Sequence, residues 1–113
     1  MRKITQQAVE AFEAQRSFKS GNTKVRVLTQ SPFSPGGGSL VLLELHGNVI
    51  ARHESWNGRT FITNAGWETR TTKERLNGLR GVSISQMNWD WYLNGKLWNG
   101  EWIDPQTGKK PTT

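Results

Sequence analysis

Arg70-Thr71-Thr72-Lys73, with Trp67 just upstream, is the run in this chain whose residue types could hold an anion. Two hydroxyls, two cations and the amides of a helix start can share one phosphate, while an indole covers a planar ring. Arg75 and Arg80 would border the same site. Arg52, Trp56 and Arg59 offer the same chemistry in a neighbouring turn-rich stretch, with an indole face for stacking and guanidinium groups for phosphate. The candidate ligand-binding residues are therefore Arg52, Trp56, Arg59, Trp67, Arg70, Thr71, Thr72, Lys73 and Arg75. The competing reading of Thr71 and Glu74 is a plain capping box on a surface helix, the commoner use of that spacing.

Catalytic chemistry has little to work with. The chain has no cysteine, no G-x-S-x-G, no Walker-type loop and no carboxylate-rich metal motif. Counted outward from Gly47-Asn48, His46 pairs with Val49 and His53 falls about four ladder positions away, too far to share a metal. Gly36-Gly37-Gly38 precedes a strand rather than a helix, so it reads as a hairpin tip and not as a phosphate cradle. A non-catalytic protein with no metal and no cofactor is expected.

The six tryptophans sharpen the choice of partner. Trp89, Trp91, Trp98 and Trp102 crowd together, with Trp89 and Trp91 expected on one strand face. The core reading is favoured for these four because other large apolar side chains are few. Trp56 and Trp67 sit among arginines in turns, where stacking and packing are evenly matched. With a formal charge of +6, indoles among cations point to a planar, anionic partner. The same excess would also serve solubility alone.

The elements that must position these residues can be read in order. Residues 5–16 predict a helix capped by Thr5, with Ile4 and Val9 as a staple and Ala8, Val9, Ala11 and Phe12 as its buried stripe. Strands are expected at 23–29, 40–46, 49–54 and 59–63, with Gly47-Asn48 and Asn57-Gly58 as turns and Gln30–Ser39 as a long hairpin loop. A short helix is expected near 72–78, capped at Thr71 and stopped by Gly78. Strands at 82–86, 89–93, 96–98 and 101–103 follow, joined at Asn94-Gly95 by a type I′ turn. The class is α+β, an N-terminal helix on an antiparallel sheet of about six strands. One domain is expected over 1–104, with 105–113 a disordered basic tail. So small a core makes a homo-oligomer the expected assembly. No cysteine, no leader segment and no apolar run long enough to span a bilayer point to a reducing cytoplasm.

The stretches MRKITQQAVEAF, LHGNVIA, ITNAGW, TTKERLNGL and WYLNGKLWNGEW resemble those of a group of small accessory proteins of tailed bacteriophages. The likeness covers most of the chain apart from the Gln30–Ser39 loop and the tail. It implies a setting, the cytoplasm of a bacterial host, and a way of working, inhibition or sequestration of something the host makes. Two functional classes follow. One is sequestration of a nucleotide-type molecule such as a defence signal, and the other is a single-stranded nucleic-acid-binding module. An inhibitor masking a host protein with exposed tryptophans is a third.

Overall fold

The computed structural model describes residues 2–29 and 38–111. Most of the expected Gln30–Ser39 loop lies outside them. The element order is α1 (Lys3–Glu13), β1 (Phe18–Ser20), β2 (Thr23–Thr29), β3 (Ser39–Leu45), β4 (Asn48–Glu54), β5 (Arg59–Ile62), α2 (Arg70–Asn77), β6 (Ile84–Met87), β7 (Asp90–Leu93) and β8 (Lys96–Leu97). The class is α+β as expected. The strands divide into two sheets, a five-stranded antiparallel meander β1-β2-β3-β4-β5 and a three-stranded meander β6-β7-β8. Helix α2 intervenes between them, and a single bridge, Ile62 to Ile103, ties the end of the chain to the edge of the larger sheet.

Alternation along β2 and β3 sends Val25, Val27, Val41, Leu43 and Leu45 toward α1, whose Ala8, Val9, Ala11 and Phe12 bury onto them. Leu76, Leu79, Val82 and Ile84 extend this core toward the smaller sheet. Each large aliphatic side chain buried this way contributes roughly 1.5–3 kcal/mol. A bulge in β4, between the partners of Leu43 and Glu44, lets Ile50 join the same core.

Helix α1 begins two residues earlier than expected. Arg2, extended and without a side-chain cap, precedes it, and Gln6 N donates to the Arg2 carbonyl at 3.1 Å. Thr5 is no cap. It is fully buried because its hydroxyl meets Arg75 and Glu74 of α2. A tertiary partner overrides the local preference.

The turns show what is local and what is not. Asn94 and Gly95 have φ of 50° and 86°, the type I′ geometry their types favour. The β3–β4 turn is His46-Gly47, one residue earlier than expected, with φ of 52° and 79° and Leu45 opposite Asn48. His46 is thus at a hairpin tip and does not pair with Val49. The β6–β7 turn is Asn88-Trp89, with φ of 52° and 72°. Trp89 is therefore not on the strand face beside Trp91: it is 88% exposed at the tip. Trp91 and Trp98 do bury, with ring centroids 6.4 Å apart, and Trp98 Nε1 donates to the Glu101 carbonyl at 2.9 Å.

Beyond Ile103 the chain makes a turn in which Gly108 N donates to the Asp104 carbonyl at 2.7 Å and Gln106 N to Asp104 Oδ1 at 2.9 Å. No helix among the described residues is long and apolar enough to cross a membrane.

Candidate functional site

Trp67 is held by a rigid turn. Ala65 and Gly66 both have positive φ, 55° and 82°, and Trp67 N donates to the Asn64 carbonyl at 2.8 Å, which makes residues 64–67 a type I′ turn. An alanine in this region is uncommon, and such strain persists only where its surroundings enforce it. Asn64 does the enforcing. It is buried, its Oδ1 accepts from Gly66 N at 2.8 Å, and its own N donates to the Gly100 carbonyl at 3.1 Å. The indole that this turn presents is 57% exposed.

Beside Trp67 lies a cavity of about 230 Å³. Leu45 and Ile50 of the large sheet form its apolar side, Thr71 and Thr72 of α2 line the helix side, and His46 and Asn48 line it from the β3–β4 hairpin. The α2 cap is Thr69 rather than Thr71. Its hydroxyl accepts from Thr72 N at 3.1 Å, so the helix starts at Arg70 and Thr71 is free to face the cavity. Glu74 does not complete a capping box, because it is drawn into an ion pair with Arg2 at 3.1 Å.

The predicted residues divide into three places. Trp67, Thr71 and Thr72 line the cavity. Arg70 and Lys73 lie on the same helix on a separate stripe with Glu74 and Asn77. Arg52 and Arg59 stand on the face of the large sheet away from α1. There the Arg52 guanidinium lies 5.1 Å from the Phe61 ring centroid and 5.2 Å from that of Trp102, a cation–π sandwich. Trp56, in the β4–β5 turn, packs against Gly38, where an added Cβ would stand 3.0 Å from its ring. The structure does not bring Arg52, Trp56 and Arg59 to the Trp67 cavity.

Arg75 is 1% exposed. Its Nη1 meets Glu74 Oε1 at 2.5 Å and the Thr5 hydroxyl, and its Nε donates to Thr23 Oγ1 at 3.1 Å. Burial and the nearby Arg2 charge both lower its pKa, against the raising effect of Glu74. Burial alone would raise the Glu74 pKa, but hydrogen bonds from Thr5 and Arg2 and the charges of Arg2 and Arg75 outweigh it and hold the carboxyl below its usual range.

Sequence reasoning passed over the polar chain leading outward from Arg75. Thr23 Oγ1 donates to Asn22 Oδ1 at 2.9 Å, and Asn22 Nδ2 lies 3.2 Å from His46 Nε2. The pairing needs β2, β3 and α2 assembled, so no local signal marks it. His53 lies elsewhere, edge-on to Phe12 and bonded through Nδ1 to Thr60 Oγ1 at 2.8 Å. Burial lowers its pKa, with the Glu54 charge opposing. It lines a second cavity of about 340 Å³ with Glu13, Arg80 and Asp104. Among the described residues no three His, Asp or Glu side chains are grouped to hold a metal.

The sequence profile of one family, described as Kyanoviridae Gp96 protein, matches residues 1–109. No curated protein and no solved structure matches the chain.

Proposed function

The chain belongs to the Kyanoviridae Gp96 protein family, a phage family, and from that premise we propose that it is a non-catalytic accessory protein that binds and sequesters a nucleotide-type molecule of the host, acting in the host cytoplasm. The observation that carries this reading is the exposed Trp67 indole standing over an apolar, base-sized cavity. At about 230 Å³ the cavity is below the ~300–1,000 Å³ usual for whole small-molecule ligands. It suits the ring of a nucleotide and leaves the phosphates outside the cavity. Stacking of one base on one aromatic face is worth about 1–3 kcal/mol.

Calorimetry against cyclic and linear nucleotides tests this. Trp67→Ala is expected to weaken binding by about one to two orders of magnitude, with little change in melting temperature because the indole is more than half exposed. A ligand occupying one pocket should show a shallow salt dependence. Binding confined to a single-stranded oligonucleotide, with affinity falling steeply in salt, would replace sequestration by the nucleic-acid module.

A second reading has its own observation. Met87 (59% exposed), Trp89 and Leu97 (69%) are large apolar side chains exposed on the small sheet and at its β6–β7 tip, residue types that anchor protein interfaces. This supports a protein-masking inhibitor, and Trp89→Ser would abolish inhibition while sparing nucleotide binding. Binding of no nucleotide, together with Trp89-dependent capture of one host protein, would decide for it.

A further inference from the structure

We propose that the face of the large sheet away from α1 is a second binding surface, and that its ligand is the phosphate backbone of a single-stranded nucleic acid. It is separate from the Trp67 cavity, whose sheet residues Leu45 and Ile50 belong to the core face. The two surfaces can therefore be tested apart.

Strand register gathers the charges. Lys19 stands opposite Lys24, Leu42 lies between Arg26 and Arg52 in one row, and Arg59 stands opposite Glu54. Alternation puts all five cations on one face, because Val25, Val41, Leu43, Ala51 and Ile62 point to the core. They form a diagonal band from β1 and β2 to β5, in steps of roughly 7–10 Å. The same strands place two carboxylates here, Glu44 and Glu54. Five cations against two acids leave +3, half of the formal +6 of the whole chain. Leu42 and Phe61 are buried in the middle row, so arginine stems lie over an apolar floor.

The acids leave most of the band unpaired. Glu44, although opposite Lys24, turns to Arg26. Among the described residues Lys19, Lys24 and Arg59 have no carboxylate within ion-pair distance. Two lysines directly opposite each other cost stability. Arg52 is held by the Phe61 and Trp102 rings. Its Nη2 stands 3.7 Å from Glu54 Oε2, beyond hydrogen-bond range, and its Nε has no partner among the described residues. A guanidinium fixed in place with unused donors suits a phosphate oxygen. Protection of a sheet edge explains Lys19 on β1, but not Arg52 on the interior strand β4.

The band favours a single strand over a duplex. Both helices pack on the core face, through Ala8, Val9, Phe12 and Leu76, so no helix is offered to a major groove. Two partly exposed indoles stand at the Arg52–Arg59 end instead, Trp102 against Arg52 and Trp56 in the turn leading into Arg59. Indoles stack bases of any sequence while cations track the backbone.

Fluorescence anisotropy of labelled oligothymidylate and oligouridylate, each of roughly twenty nucleotides, tests this on the full chain. Phosphate contacts by Lys19, Lys24, Arg52 and Arg59 should make affinity fall about fifty-fold as salt rises from about 50 to about 200 mM. The exposed pair Lys24→Gln and Arg59→Gln, combined, should roughly halve the logarithmic salt slope with an unchanged melting temperature. Trp67→Ala should leave slope and affinity as in wild type. Binding of either oligonucleotide in this way supports the surface and shows which strand chemistry it takes.

No binding of either at the lower salt overturns the proposal, as does a slope unchanged in the double variant. A slope lost instead in Lys109→Gln with Lys110→Gln assigns the binding to the C-terminal segment. Equal or tighter binding of a duplex of the same length overturns the single-strand assignment.

Discussion

Gly100 lies so close to Asn64 that a Cβ at position 100 would stand 2.1 Å from Asn64 Nδ2. The glycine is also at φ 89°, where any L side chain is strained. Both effects act on the residue that fixes the Trp67 turn. Gly100→Ala should therefore destabilise the protein by about 2–4 kcal/mol, read as a lowered midpoint in urea. A midpoint within error of wild type would mean that the contact is not formed in solution.

Arg75 should prove to be a folding residue. Arg75→Met removes the charge that Glu74 faces and leaves the Thr5 and Thr23 hydroxyls without their buried donor. A loss of about 3 kcal/mol is expected. Arg70→Ala, on the exposed start of the same helix, should change stability by less than about 0.5 kcal/mol. Equal effects of the two on thermal unfolding would contradict the burial described.

Trp89 occupies a position that favours glycine. In the Asn88-Trp89 turn both residues have positive φ, and Asn-Gly is the pair best suited to that geometry. Trp89→Gly should raise stability by about 0.5–1 kcal/mol while abolishing any capture of a host protein through this tip. Destabilisation by this change would show that the indole packs on its neighbours.

His53 should make stability fall in mild acid. Its folded pKa is lowered, chiefly by burial, so the unfolded chain takes up the proton first. Its contribution is complete above the usual imidazole range and is lost as pH falls through that range toward the depressed value. His53→Gln should flatten the slope of urea midpoint against pH there. Glu74 is also depressed, but its contribution is present above the usual carboxylate range and is lost only at lower pH, as the folded carboxyl titrates. The two losses should separate, and a single shared transition that survives in His53→Gln would refute the assignment.

The legible parts of the fold are the local ones. Asn94-Gly95 could be read because both residues tolerate the left-handed region, and the alternation of β2 and β3 gave the core face of the large sheet. His46-Gly47 was missed by one residue because Gly47 fits either position of the turn. Asn88-Trp89 was illegible, since nothing local recommends tryptophan at positive φ. In the candidate site, Trp67, Thr71 and Thr72 were found together because they are near in sequence. His46 and Asn22 reach the site only through strand pairing. The burial of Arg75 depends on Thr5 and Thr23, which come from distant elements. Arg52 and Arg59 were separated from the cavity by side-chain alternation in a register the sequence left open.

The lock on Trp67 comes from far downstream: Thr63, which adjoins it, donates from Oγ1 to the Gly100 carbonyl across 37 residues of chain. During synthesis the helix and the five-stranded meander leave the ribosome well before Gly100 does. The nascent chain can therefore assemble its main core while Trp67 is still unclamped. The orientation of the Trp67 indole would be set only once Gly100 has been made, and a chain truncated before Gly100 would carry the indole without that clamp.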